Sequence, residues 1–567
     1  MRTNKGNRRR ISFLAMSLAL WGLVVCLQLF KVQVMEYTVY AGKIKAQTMR
    51  VMDLHSKRGT IYDRNGDILA ISVKAKSAFI SNKEIALSQA VFRRAGTVLS
   101  LSHSQQIKIA RRIARGEKFI WLKRKLEDSE YRKLAALTGS GTENDILNFV
   151  DEYRRVYPQK RTASHVLGGV GIDEQPLGGV ELSMDEDVRG QGGKIRAMID
   201  ARKKIFHIKY ITEPIQGKGL YLTIDSSLQF IVEKELHRGM AEYNAKSGSV
   251  IVLDSSDGSV LAMANYPDFS PEEMASASQA NMKNRAISFL YDPGSTFKII
   301  LGAAALENSV CRPQQVFSCF DGVYHVRDRT ITDVHPFEQL SFEEIIVQSS
   351  NIGAARIGER IGRSRFFAAI SAFGFGRRSG ILLPGEESGI LNPEKDWNDV
   401  SLAFISHGYE ITVTPLQMAL AFNVYAAGGY RYEPAIIDRV DRIAQPRTRP
   451  RRILRPQTLQ QMNPILIQVV EKGTGKKARI PGLAVAGKTG TAQKYQDGRY
   501  SSDHISSFGG FFPVPEPRLT IFVVIDSPSD LYYGGDVAAP IFRSIAEKIM
   551  GRYQIFPESL PDGRIEL

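Results

Sequence analysis

Residues 11–30 form an uncharged, mainly apolar run directly behind Arg2, Lys5, Arg8, Arg9 and Arg10, a flank that contains no acid. An α-helix rises about 1.5 Å per residue, so this run covers about 30 Å, the thickness of a bilayer's hydrocarbon core. A cleaved secretory leader has a shorter apolar core, about 7–15 residues, followed directly by a small-x-small site. Here Leu29-Phe30-Lys31-Val32-Gln33 follows, and the pair Val39 and Ala41 lies too far downstream. The sequence therefore predicts an uncleaved anchor over residues 11–31. The basic flank places residues 1–10 in the cytoplasm, and no later stretch is apolar for long enough to cross again. Everything from about residue 40 is then extracytoplasmic, which sets aside cytosolic ATP and nucleic acid as partners.

The chain has 567 residues, 43% hydrophobic and 24% charged, enough for several folded domains and unlike a disordered chain. Lys and Arg total 75 against 59 acids, so the formal charge is 75 − 59 = +16. Such a surplus suits anionic lipid, nucleic acid or an anionic polymer alike and names none of them. The five basic residues at the anchor leave 16 − 5 = 11 for the remainder. Three cysteines exclude a Cys-rich zinc module, and the nine histidines include no H-E-x-x-H. No metal and no cofactor is expected. In an oxidising compartment Cys311 and Cys319 either pair or stay as two buried thiols, while Cys26 lies inside the span.

Residues 45–215 read as short strands, Gly-rich turns and an amphipathic basic stretch over 105–126, with no catalytic constellation. Around residues 213–219 the composition turns to linker residues. Residues 220–225 read as a strand ending in a helix cap, and 226–244 as a helix. Strands over 249–253 and 259–265 are joined by Asp257-Gly258, a hairpin signal. Residues 483–488, 506–512 and 519–526 read as three more strands and 537–550 as a closing helix. Strands at both ends with helices between them predict a mixed α/β domain. Arg111, Arg112 and Arg115 fit a solvated helix face, and residues 447–455 an extended basic loop without the interleaved aromatics of a stacking platform.

Three short motifs carry chemistry. Ser295-Thr296-Phe297-Lys298 opens an apolar run, 299–306, that reads as a buried helix, so Ser295 and Lys298 share one face. A serine hydroxyl is a weak nucleophile, and a lysine serves as its base where burial and a second cation lower its pKa. One S-x-x-K means little by itself, since about one or two arise by chance in a chain this long. Here Ser349-Ser350-Asn351 ends the helical pattern 342–348, and Lys488-Thr489-Gly490-Thr491 follows the apolar residues 483–486. Residues 482–489 also match the phosphate-loop pattern G-x-x-x-x-G-K-[ST]. That loop should follow a buried strand and open into a helix. Polar residues 472–477 lie upstream and Gly490 follows Thr489, so both sides argue against it.

The triple of S-x-x-K, S-x-N and K-T-G resembles the signature shared by penicillin-binding proteins and class A β-lactamases. More closely, the chain resembles the class B penicillin-binding proteins, above all the division-specific D,D-transpeptidases of the FtsI type. The boxes at 58–70, 154–158 and 178–181 look like those of that family's non-catalytic pedestal. Ser247-Gly248, Asn284-Arg285, Thr414-Pro415-Leu416-Gln417 and Tyr532-Tyr533-Gly534-Gly535 are similar to landmarks of its catalytic half. Glu410, after Ser406-His407-Gly408-Tyr409, stands where the family often has a second glycine. No glycosyltransferase module or C-terminal repeat is read, which implies the single-activity class.

The resemblance implies an N-terminal transmembrane helix, an elongated α+β pedestal over 45–215, a transpeptidase domain over 219–553 with a central antiparallel sheet flanked by helices, and a tail over 554–567. It implies that Ser295 attacks the penultimate D-Ala carbonyl of a D-Ala-D-Ala stem peptide, with Lys298 as base. Ser349 relays a proton to the leaving amine, and Lys488 holds positive charge beside Lys298. The backbone amides of Ser295 and Thr491 form the oxyanion hole. Asn351 binds the substrate backbone, and Thr489, Gly490 and Thr491 line the site of its terminal carboxylate. Implied partners are peptidoglycan stem peptides as donor and amine acceptor, β-lactams as covalent inhibitors, a polytopic membrane glycosyltransferase and other division proteins, at the bacterial inner membrane with the catalytic domain in the periplasm. Elongation-type transpeptidase, D,D-carboxypeptidase, non-enzymatic scaffold or β-lactam sensor, and β-lactamase are the rival functions. A β-lactamase has no need of an anchor or of a pedestal this large.

Overall fold

A computed structural model describes residues 5–54, 56–82, 84–137, 146–199, 205–496 and 498–557. The extreme ends of the expected cytoplasmic segment and C-terminal tail, residues 1–4 and 558–567, lie outside them. Two compact units emerge, residues 1–57 with 190–217, and residues 58–189 with 218–567.

In the first unit the helix Lys5–Phe30 runs on as a single π-helical turn, Lys31–Met35, and a second helix spans Tyr37–Thr48. Residues 8–35 form a helix long and apolar enough to cross a membrane, and its window is not buried by protein. Beyond it, Met49–Leu54, Gly193–Ile199 and Ile205–Thr212 pair antiparallel in that order.

In the second unit the central sheet has five strands, all antiparallel, in the order Val260–Tyr266, Ser247–Asp254, Leu519–Asp526, Arg499–Phe512, Ala486–Gln496. The mixed α/β reading and the central antiparallel sheet are thus as expected. The hairpin predicted at Asp257-Gly258 joins the first two strands; Gly258 takes φ +73°, and Ser259 N donates to Asp257 Oδ1. Helix Ser226–Glu242 is capped by Asp225, whose Oδ1 accepts from Ser227 N and Leu228 N at 3.1 Å. This helix and the closing helix Gly534–Ile549 pack on one face of the sheet with Leu228, Val232, Phe542 and Ile545 buried between them. On the other face helix Pro415–Ala426, buried at every position, packs against the strands.

Several boundaries move. The strand expected over 483–488 begins at Ala486 and runs to Gln496, so Lys488-Thr489-Gly490-Thr491 lies within it. Each of these residues pairs with a partner on Arg499–Phe512, and this cross-strand pairing, invisible in the local hydropathy, carries the strand past the apolar residues. No helix follows Lys488, which disposes of the phosphate loop. The stretch over 105–126 divides into helix His103–Ala114, capped by a reciprocal Ser102–Gln105 pair, and strand Phe119–Lys123. Residues 447–455 include the short strand Arg451–Arg452, paired with Tyr430–Arg431. Cys311 and Cys319 are two buried free thiols.

A second sheet ties the amino-terminal part of this unit to its catalytic part. Strand Leu220–Leu222 pairs parallel with Ile61–Tyr62 on one side and antiparallel with Ile437–Val440 on the other, and Ile61–Tyr62 continues through Ile68–Ser81 to Phe119–Lys123 and Leu147–Val156. Beside it lies a buried ion network centred on Glu181, which is 0% exposed. Its carboxylate accepts from Arg58 Nη2 at 2.8 Å, Arg155 Nε at 2.6 Å and the Tyr157 hydroxyl at 3.2 Å. Arg58 also reaches Asp185 at 2.7 Å, and Arg155 Nη1 the carbonyl of Gly59 at 2.8 Å. Glu181→Ala would leave two buried guanidiniums without their shared counter-ion. It should lower stability by about 3–5 kcal/mol, read by urea and thermal unfolding of the full chain; a loss below about 1 kcal/mol would show that the network is not what joins these segments.

Candidate active site

The first motif straddles two kinds of helix. Gly294–Phe297 is a 3₁₀ turn that hands over at Lys298 to the α-helix Lys298–Glu307, in which residues 298–306 are all buried. Side chains three apart are nearly eclipsed in a 3₁₀ turn. Lys298 Nζ accordingly donates to Ser295 Oγ at 3.0 Å. The second motif sits between two helices. Ser349 ends Phe342–Gln348 in the left-handed region, φ +66°, which costs free energy for a residue with a Cβ. Ser350 caps the helix Asn351–Ile361, its Oγ accepting from Gly353 N at 2.8 Å.

The reversal at Ser349 turns its groups toward the buried lysines. Lys298 Nζ donates to Ser349 O at 2.5 Å and to Asn351 Oδ1 at 2.9 Å, and lies 3.4 Å from Ser349 Oγ. Lys488 Nζ reaches Ser349 Oγ from the motif strand at 2.9 Å and Thr489 O at 3.2 Å. One hydroxyl therefore stands between two lysine Nζ atoms, and both lysines are 0% exposed. Burial pushes the Lys298 ammonium down to about 7, with the negative charge of Asp333 opposing it. Burial and the positive charge of Lys298 push Lys488 well below the ordinary lysine range. His407, buried beside them, is driven down to about 3 by burial and by Lys298, and its neutral ring donates from Nδ1 to Ala403 O at 2.9 Å.

Glycines let these segments meet. A Cβ on Gly490 would lie 2.5 Å from Ser507 Oγ and 2.8 Å from Thr296 Cγ2, so the motif strand presses directly on the turn that carries Ser295. Gly408, at φ +89°, carries the carbonyl that accepts from Gly294 N at 3.0 Å, and a Cβ there would lie 2.1 Å from Gly294 O. Glu410, the departure from the family pattern, holds φ +57°, the conformation glycine adopts freely.

All eight site residues expected from the sequence come together. Ser295, Ser349, Asn351, Thr489 and Thr491 line one cavity of about 390 Å³. Lys298 and Lys488 do not line it, but both bond to Ser349, which does. Gly490 serves the close approach just described. Thr491 Oγ1 accepts from Gly534 N at 2.9 Å, and the hydroxyls of Thr489 and Thr474 are 2.6 Å apart. The motifs did not point to Asp333, His407, Tyr409, Thr474 or Tyr533 on the cavity wall. Asp333 accepts from Ser350 Oγ, Asn351 N and Ile352 N at the start of the second motif's helix. No local pattern announces it, because it comes from a separate hairpin. Tyr533 lies inside the stretch 532–535 read as a family landmark, and His407 and Tyr409 inside the stretch noted for the departure at Glu410.

Comparison with known proteins agrees with this geometry. Residues 248–547 match the model of the penicillin binding protein transpeptidase domain, and residues 53–222 that of the penicillin-binding protein dimerisation domain. Stage V sporulation protein D of Bacillus subtilis is 32% identical over 95% of this chain and 85% of its own length. Peptidoglycan D,D-transpeptidase FtsI of Escherichia coli is also 32% identical, over 91% of this chain and 87% of its own. The crystal structure of penicillin binding protein 3 from Mycobacterium tuberculosis, complexed with aztreonam, superposes with a TM-score of 0.69 at 26% identity, covering 90% of this chain and 99% of that one.

The glycine contacts give a direct test. Gly408→Ala introduces both a strained φ and a clash with the turn that carries Ser295, and should cost at least about 2 kcal/mol of stability by thermal unfolding, whereas Glu410→Gly should be neutral or slightly stabilising. Equal stability of Gly408→Ala and the parent chain would contradict the described loop.

Proposed function

The chain belongs to the penicillin-binding protein transpeptidase family, and on that premise we propose a mechanism, a membrane topology and a cellular role for it. It is a class B peptidoglycan D,D-transpeptidase related to FtsI and stage V sporulation protein D. The observation that carries the mechanism is Lys298 Nζ, fully buried, at 3.0 Å from Ser295 Oγ.

In the proposed reaction Lys298 takes the Ser295 proton as Oγ attacks the penultimate D-Ala carbonyl. The negative oxygen of the tetrahedral intermediate faces the backbone amides of Ser295 and Thr491. The intermediate collapses to a seryl ester, and the terminal D-Ala leaves as an amine with a proton relayed through Ser349. An amine of a second stem peptide then attacks the ester, gives up a proton along the same path and restores Ser295. Thr489, Gly490 and Thr491 border the place of the donor's terminal carboxylate, and the edge strand Ala486–Gln496 offers its backbone to the extended peptide. Asn351 would bind the peptide backbone. Its amide is engaged within the protein, with Oδ1 accepting from Lys298 Nζ and Nδ2 donating to Thr332 O at 3.1 Å, so substrate must share or replace one of these bonds.

The apolar helix over residues 8–35 supports a single-pass anchor with the basic N-terminus inside and the catalytic part outside. The domain limits that fit this topology are an anchor over 11–31, a pedestal over 45–215 and a transpeptidase domain over 219–553. The similarity to FtsI supports a septal role alongside a membrane glycosyltransferase and other division proteins, and β-lactams would acylate Ser295. Depletion should give filaments and a fluorescent fusion should mark the septum. Rounded cells with lateral signal would assign the chain to elongation instead, and rescue of growth by Ser295→Ala would make it a scaffold.

The pH dependence follows from Lys298. The base must be unprotonated, and its pKa before ligand binds is pushed down to about 7, so the second-order acylation rate constant with labelled penicillin, measured well below saturation, should rise as pH increases through about 7 and level off above it. Lys298→Arg should abolish acylation at every pH, because a guanidinium does not deprotonate in this range. A flat profile between pH 5.5 and 8.5, an interval of about 1.5 units on either side of that value, would remove Lys298 from the base role.

A further inference from the structure

The proposed oxyanion hole needs the amides of Ser295 and Thr491 to face one oxygen, yet these residues are 491 − 295 = 196 positions apart. Their segments touch directly through glycines. A Cβ on Gly294 would lie 3.0 Å from Thr491 O, and one on Gly490 would lie 3.1 Å from Pro293 O. Apart from the Thr296 methyl and the Ala492 Cβ, this contact is backbone against backbone, with no side-chain hydrogen bond between the two glycine positions to set its spacing.

A circuit of contacts closes around it. Gly294 N donates to Gly408 O at 3.0 Å. The next residue, Tyr409, accepts at its hydroxyl from Gln493 N at 3.4 Å, two positions beyond Thr491 on the motif strand. The Tyr409 ring meets Tyr500 edge-on, with centroids 5.5 Å apart. Tyr500 stands opposite Tyr495 across the motif hairpin, and its hydroxyl donates to Asp292 Oδ2 at 3.0 Å. Asp292 precedes Ser295 by three residues, which returns the circuit to the nucleophile turn.

Neither Asp292 nor Tyr500 belongs to the three motifs or lines the cavity. Asp292 is only 8% exposed, and none of its described hydrogen bonds beyond Tyr500 explains a carboxyl in this place. Burial pushes that carboxyl up to about 6, against the Tyr500 hydroxyl, which favours the ionised form, and Glu410 adds its negative charge to the upward shift. Asp292 Oδ2 accepts from the Tyr500 phenol, and the bond is charge-assisted whenever the carboxyl is ionised.

We propose that Asp292 and Tyr500 form a positioning latch that fixes the spacing between the nucleophile turn and the motif strand, and with it the width of the oxyanion hole. The inference rests on the transpeptidase mechanism proposed above. A latch of this kind acts on the transition state, when the carbonyl oxygen must reach both amides, and little on the initial docking of ligand.

The test is stopped-flow acylation of the detergent-solubilised full chain by labelled penicillin, resolving the binding constant from the acylation rate at saturation. Tyr500→Phe and Asp292→Ala should each lower the saturating rate about tenfold with binding unchanged. The double variant should fall no further than either single one, because both remove the same bond. Asp292→Asn keeps an acceptor for the hydroxyl and should retain most of the rate. Tyr500→Phe deletes one oxygen from a side chain that is 41% exposed, so it stays folded even where Asp292→Ala does not, and thermal unfolding verifies this. A Tyr500→Phe rate within about twofold of the parent, a loss confined to binding, or multiplicative losses in the double variant would each overturn the latch. Ser295→Ala supplies the blank. Failure of the parent chain itself to form an adduct would instead overturn the transpeptidase mechanism on which the latch rests.

Discussion

Two lysine side chains buried around one serine hydroxyl set the terms for the rest of the catalytic unit. Removing a charge from water costs several kcal/mol even after relaxation, and bringing a second like charge beside it adds to the cost. Every described hydrogen-bond partner of Lys298 and Lys488 is a hydroxyl, amide or carbonyl oxygen; none is a carboxylate. Asp333 contributes only through its field, from the start of the next helix. The surrounding fold must therefore hold the pair by rigidity: a helix buried through residues 298–306, the motif strand locked into a five-stranded sheet, and Ser349 kept in a left-handed conformation between two helices.

The same chain shows how a buried charge is handled where no chemistry is asked of it. Glu181 is as deeply buried as the two lysines, yet it meets Arg58, Arg155 and Tyr157 within hydrogen-bond distance, and Arg58 is pushed above its ordinary range by the acids around it despite its burial. That network is closely neutralised and joins segments far apart in sequence. The lysine pair is left without a contacting counter-ion, and both its members are driven toward neutrality. The contrast between a compensated and an uncompensated buried charge separates the structural cluster from the reactive one.

Much of this was readable from the residues. The apolar run behind Arg8, Arg9 and Arg10, the hairpin at Asp257-Gly258, the cap at Asp225 and the buried helix after Lys298 are local signals, carried by composition, turn chemistry and periodicity within a few residues. Each of the three motifs has an internal spacing that local geometry enforces, while the fold brings the three to one place. What stayed hidden depends on distant pairing. The motif strand continues to Gln496 because Arg499–Phe512 supplies its partner, not because its own residues are apolar. Asp333 reaches the start of helix Asn351–Ile361 from a hairpin, and Thr474 meets Thr489 from the loop that had served only as an argument against a phosphate site. Glu410 gave a signal of the opposite kind, since a charged residue stands where backbone geometry prefers glycine and the chain adopts the left-handed conformation regardless.

On the proposed mechanism, the lysine pair also explains why substrate is part of the catalytic machinery. Lys298 has Ser295 Oγ, Ser349 O and Asn351 Oδ1 as acceptors, and Lys488 is depressed by burial and by the charge of Lys298. A proton on either lysine disfavours one on the other. A terminal carboxylate arriving beside Thr489 and Thr491 places negative charge on the Lys488 side of Ser349. It raises the proton affinity of Lys488 and, once Lys488 is charged, lowers that of Lys298. Asn351 works in the same direction if its amide turns to the peptide backbone, since Lys298 then loses an acceptor that stabilises its ammonium. Binding would thus transfer positive charge from the base to its neighbour through Ser349, the hydroxyl both lysines share. Departure of the terminal D-Ala removes that carboxylate, so the acyl-enzyme must await its acceptor amine in a different charge state from the one that formed it.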